Sequence, residues 1–97
     1  MYAMTGTLIA QAGKRDLLVN ILVRASALVL TMPGCKAYIV LEDLKDEHAV
    51  AVFEMWEDKA AHDTSLQDPR VRSLIAEAMP ILAGAPSGGE YRVATNL

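Results

Sequence analysis

Cysteine, tryptophan and phenylalanine each occur once in this chain of 97 residues, and its histidines number two. The lone Cys35 excludes an internal disulfide and a thiolate metal cluster, and it fits a reducing, cytoplasmic setting. His48 and His62 are too few for a metal centre without carboxylate help, so no metal is expected. Glycine-rich phosphate loops, His-Glu-x-x-His and Cys-x-x-Cys are all missing, which removes the motif grounds for a bound nucleotide, flavin or zinc. Positive charge is short as well: nine Lys and Arg, scattered between Lys14 and Arg92, face twelve Asp and Glu. The electrostatic grip of nucleic-acid binding is therefore absent. The most apolar stretch, residues 17–32, is interrupted by Asn20, Arg24 and Ser26, and falls short of the roughly twenty residues a membrane span needs. The first residues lack the positive start of a secretory signal. Neither nucleic acid nor membrane is an expected partner.

What the chain does have is apolar residues, 53% of the total. A domain of this size hides only about two thirds of the surface its unfolded chain exposes, so one domain over residues 1–97 carries more apolar surface than it can bury alone. Residues 2–11 alternate weakly, Met4, Leu8 and Ala10 against Thr5, Thr7 and Ile9, and predict a first strand ending before Gly13. Leu17, Leu18, Ile21, Leu22, Ala25, Leu28 and Val29 then recur at helical spacing, with Asp16 in the first turn where a carboxylate favours the helix dipole. Met32-Pro33-Gly34 ends that helix, because Pro33 pushes Met32 out of the helical region. Residues 35–41 and 49–56 are apolar runs of strand length joined by a charged tip, and read as a hairpin. Asp58 can cap a short helix through Ala60, Ala61 and His62. Asp68-Pro69 is a cap and first-turn pair for another, with Val71, Leu74, Ile75, Ala78 and Leu82 on one face and Pro80 ending it. Residues 84–89 have loop composition, Gly88-Gly89 included, and residues 90–95 alternate as a last strand.

The order β-α-β-β-α(α)-β, with right-handed crossovers, predicts an α+β, ferredoxin-like four-stranded antiparallel sheet with its helices on one face. The other face would ordinarily be polar. Yet the hairpin is apolar on both sides: Ala37, Ile39, Leu41, Ala49, Ala51, Phe53 and Met55 have one parity, Tyr38, Val40, Val50 and Val52 the other. Burying four side chains of valine size stabilises by about 6 to 12 kcal/mol. A homodimer packed through the open sheet face is therefore expected, with the Tyr38 parity assigned to the partner side.

The segment Glu54-Met55-Trp56-Glu57-Asp58-Lys59-Ala60-Ala61-His62 holds the sole Trp close to an imidazole. It resembles the Glu-x-Trp strand end and following short helix of the antibiotic biosynthesis monooxygenase family, whose members form dimeric α+β barrels. Pro33-Gly34-Cys35, Pro69-Arg70-Val71-Arg72 and the ending at residues 80–84 resemble it too. The resemblance implies a dimeric α/β barrel and one of several reactions: oxidation of phenolic polyketides or quinols by dioxygen without a cofactor, haem degradation, or isomerisation. Haem-degrading members use an Asn in the first strand, a second Trp about nine residues after the one matching Trp56, and a His in the last helix. Here the first strand has no Asn, Ser65 stands at the second position, and no His follows His62, which disfavours that reaction.

For the cofactor-free oxidation the substrate, once deprotonated, itself reduces dioxygen, and the protein supplies a dry pocket, a base and hydrogen-bond donors. His62 is the natural base, since imidazole ordinarily titrates near neutrality. Trp56, Tyr38, Tyr91 and Phe53 can hold an aromatic ring, and Arg72 can stabilise an oxyanion. Each also has a purely structural reading. His62 can sit on a helix face beside Asp58, Trp56 can anchor the core, Tyr38 can pack in the dimer, and Arg72 can pair with Asp68. Glu54 would be costly to bury alone, so an arginine partner such as Arg92 is expected. The leading expectation is a cofactor-independent monooxygenase with dioxygen as co-substrate. A non-catalytic dimeric module for a small apolar ligand and an isomerase on the same scaffold are the alternatives.

Overall fold

The computed structural model describes residues 1–95. Its elements are β1 (Tyr2–Ile9), α1 (Arg15–Val29), β2 (Cys35–Glu42), β3 (Ala49–Trp56), α2 (Lys59–Ser65), α3 (Pro69–Ala78) and β4 (Ser87–Arg92). The strands form one antiparallel sheet in the order β2-β3-β1-β4, the ferredoxin-like arrangement expected. Local chemistry sets the boundaries. Gly34 turns with φ +85, and a Cβ there would lie 2.8 Å from the Ala61 Cβ, so glycine is what lets the start of β2 lie against α2. Asp58 accepts the Ala61 N–H at 2.8 Å and Asp68 accepts the Arg70 N–H at 2.8 Å, capping α2 and α3 as expected. Pro80 sits in a 3-10 turn, Met79–Ile81, that closes α3.

Two expectations are corrected. The last strand begins at Ser87, so Gly88 and Gly89 lie inside it rather than in a turn. Gly88 faces Gly6 in the β1 register, and a Cβ on Gly88 would run into the Thr5 carbonyl. The glycine permits a close strand approach. Gly88→Ala should therefore destabilise the fold by about 2 kcal/mol, roughly 10 °C in a domain of this size. A thermal melt unchanged within 2–3 °C would show that β4 yields freely.

The second correction concerns the faces. Tyr38, Val40, Val50 and Val52 lie beneath the helices, not toward a partner: Val50 and Val52 are buried under Leu18, Ile21 and Leu22 of α1. A second cluster joins Val29, Trp56 and Val71 across the ends of α1, β3 and α3. The opposite face presents registered rows, Ile39–Phe53–Thr5 and Leu41–Ala51–Thr7, with Ile39 and Leu41 about half exposed.

Candidate active site

Between the helices and the sheet lies a cavity of about 300 Å³, at the lower end of the range for small-molecule sites. Met4 and Leu8 of β1, Ile21, Leu22 and Val29 of α1, and Val71, Leu74 and Ile75 of α3 make its walls apolar. Its polar lining comes from Tyr38, Glu54, His62 and Ser65. Ser65 is satisfied locally, its hydroxyl donating to the His62 carbonyl at 2.6 Å. The other three have capacity to spare.

His62 is buried, and its Nδ1 lies 2.9 Å from the Asp63 carboxylate. Hydrogen bonds from His62 and then Lys59 hold the Asp63 carboxyl below its ordinary range, so it is ionised and only accepts. The neutral imidazole therefore carries its proton on Nδ1 and keeps the Nε2 lone pair. The ring packs against Tyr2, with centroids 5.4 Å apart, and edge-on against Trp56 at 5.8 Å.

Glu54 accepts the Trp56 indole N–H at 3.1 Å through one oxygen. Among the described residues no cation forms an ion pair with it, which corrects the expected arginine partner; Arg92 lies two strands away on β4. Burial raises the Glu54 pKa, with the indole hydrogen bond and the nearby His62 opposing. Tyr38, the registered partner of Glu54 on β2, is pushed well above the usual phenol range by burial first and then by Glu54. Its hydroxyl has no hydrogen-bond partner among the described residues.

The other expected site residues lie elsewhere. Trp56 is fully buried behind His62 and Glu54, supporting the cavity rather than lining it. Phe53 and Tyr91 are on the open face, since registered strand neighbours share a face and Tyr91 pairs with Ala3, which pairs with Met55. Arg72 is exposed on α3, its Nε donating to the Leu66 carbonyl at 3.2 Å. Asp68 pairs with Arg70 at 2.8 Å and not with Arg72. Two residues not anticipated for the site are Glu54 as a cavity group and Asp63 as the holder of His62. The alternation that groups Glu54 with Trp56 was the available signal for the first. Among the described residues no three of His, Cys, Asp and Glu converge in a way that could hold a metal ion, and no helix is long and apolar enough to cross a membrane.

Residues 1–77 match the family model described as antibiotic biosynthesis monooxygenase. A protein from Chloroflexus aurantiacus, described as a candidate antibiotic biosynthesis monooxygenase, is 33% identical, with a TM-score of 0.89 over 99% of this chain and 95% of that one. One from Deinococcus radiodurans with the same description is 26% identical, with a TM-score of 0.89 over 100% and 96% of the two chains. An uncharacterised protein from Synechocystis is 29% identical over 62 residues, 64% of this chain and 42% of that protein. The chain thus spans less than half the length of that curated relative.

Proposed function

Since the chain belongs to the antibiotic biosynthesis monooxygenase family, we propose that it oxygenates a small aromatic phenol or quinol with dioxygen and without a cofactor. The observation that carries this reading is the combination, in one apolar cavity, of a buried imidazole held at Nδ1, whose Nε2 has no hydrogen-bond partner among the described residues, and two further polar groups, Tyr38 and Glu54. Nε2 of His62 takes the phenolic proton. The phenolate passes one electron to dioxygen, and the radical pair combines at the para ring carbon, forming a C–O bond. The peroxide then loses water: the O–O bond breaks, the ring C–H proton is removed, and the leaving oxygen departs with that proton and the phenolic one. Phenol plus dioxygen becomes quinone plus water, with one oxygen atom on the ring. A dry cavity keeps the intermediates from bulk water. Trp56 and Asp63 hold the reacting groups in place, and a homodimer through the open face shields the sheet.

9-Anthrol is a suitable probe. The expected result is one dioxygen consumed per anthraquinone formed, with ¹⁸O from ¹⁸O₂ in the product and no hydrogen peroxide. Tight binding of two- and three-ring phenols without oxygen uptake would mark a ligand-binding module. Anaerobic conversion would mark an isomerase. Either outcome defeats the oxygenase reading.

A further inference from the structure

We propose that Tyr38 and the protonated form of Glu54 together make an oxyanion site in this cavity, Glu54 keeping its proton while His62 takes the substrate's. The inference rests on the oxygenase reading for its purpose, but its geometry stands separately. Tyr38 and Glu54 are registered partners on β2 and β3, and registered antiparallel neighbours on one face hold their Cβ atoms about 5 Å apart. Both line the cavity. Trp56 Nε1–H can only donate, so it claims one Glu54 oxygen as acceptor, and the carboxyl proton resides on the other. That oxygen and the Tyr38 hydroxyl are neighbouring donors without a partner among the described residues.

An anion in this cavity meets no fixed cation, because no Lys or Arg is among its lining residues. Lys59 is engaged by Asp63 at 3.0 Å and lies 3.7 Å from Glu90, and Arg72 donates to a backbone carbonyl. Neutral donors are what remain. The titratable groups around Glu54 are Tyr2 from β1, Tyr38 and Cys35 from β2, and His62 from α2; the α1 and α3 residues at this end are the apolar Val29 and Val71. Ionised, Glu54 would repel a phenolate. Protonated, it joins Tyr38 in a pair of donors of the kind that stabilises enolates when an apolar site keeps a carboxylic acid neutral. Burial acts on Glu54 in that direction.

2,4-Dinitrophenolate, an anion throughout the pH range used, is the probe, with binding measured anaerobically by calorimetry. Its affinity should fall about tenfold per pH unit once Glu54 ionises. The fall should be absent in Glu54→Gln, whose amide still donates, and should persist in His62→Asn. Tyr38→Phe should weaken binding about tenfold at all pH values. A slope that persists in Glu54→Gln, or vanishes in His62→Asn, overturns the proposal. Infrared spectroscopy of the unaltered protein needs no variant: a protonated carboxyl C=O band persisting above about pH 6, where exposed carboxyls have ionised, supports the proposal, and its absence overturns it. Because no turnover is involved, phenolate binding with this pattern but no 9-anthrol oxidation would remove the oxygenase reading and leave the oxyanion site. Oxidation without the pattern would do the reverse.

Discussion

His62→Asn should lower kcat/KM for 9-anthrol oxygenation by about 10³, within the 10²–10⁴ range that a positioned general base contributes. The loss should fall on kcat, since asparagine leaves the apolar walls from α1, α3 and β1 intact and ligand affinity within about threefold. The size of the effect follows from what surrounds the imidazole. Asp63 holds Nδ1, and Tyr2 and Trp56 fix the ring from two sides, so Nε2 is offered in one orientation and the carboxyl of Glu54 is the alternative proton acceptor at this end of the cavity. Burial makes Glu54 hold its proton more tightly, which stops it acting as the stronger acid partner while also leaving it a poor substitute base until it ionises. A variant that keeps more than a tenth of wild-type kcat would remove His62 from the chemistry. An apparent loss caused by unfolding is separated by circular dichroism and by retained binding of 2,4-dinitrophenolate.

The element order, the caps at Asp58 and Asp68 and the turn at Gly34 are legible because each rests on local backbone chemistry. Which face the helices cover is not, because β2 and β3 are apolar on both sides. The deciding information sits in β1, where Met4 and Leu8 go under the helices and Thr5 and Thr7 outward, in the middle of the sheet. The alternation was visible there, but its weight depends on β1 being central. A bulge between Cys35 and Ala37 adds a further twist: it places Cys35 with Trp56 on the helix side although simple alternation groups it with Ala37. Gly88-Gly89 read as a turn because glycine pairs signal turns more often than close strand approaches. Of the residues expected at the site, His62 and Tyr38 line the cavity and Trp56 backs it, whereas Phe53, Tyr91 and Arg72 do not reach it. Phe53 follows from the same ambiguity of faces: with the helices over Tyr38 and Val52, it falls on the open side. Glu54 was missed as a cavity group because a buried carboxyl suggests an arginine partner, and the indole N–H that holds it instead comes from two residues along the same strand.

Phe53→Asp should convert a homodimer into a folded monomer, raising its dissociation constant by about 10³. The open face argues for the dimer in the wild type. Ile39 and Leu41 are 47% and 49% exposed, with Phe53 and Ala51 beside them in register, whereas a solvated antiparallel face is polar. Phe53 stands on β3, an inner strand, between Ile39 and Thr5, so a two-fold sheet-to-sheet contact desolvates it in both subunits. A carboxylate there would be buried without a partner. A hot-spot residue near the centre of an interface is worth about 2 kcal/mol or more, and two copies of Phe53 in that role give about 4 kcal/mol, or roughly three powers of ten. Sedimentation equilibrium measures this directly, and Phe53→Leu should stay dimeric. The helix-side core contains Val50, Val52 and Trp56 but not Phe53, so the monomer keeps its fold. The cavity lies on the helix side of the sheet and Phe53 on the other, so the monomer should also bind 2,4-dinitrophenolate within about threefold of wild type, as expected for sites on opposite sides of a sheet. A wild type that sediments as a monomer at micromolar concentration would remove the dimer, and a Phe53→Asp monomer that no longer binds the probe would show that the partner shapes the cavity from across the sheet.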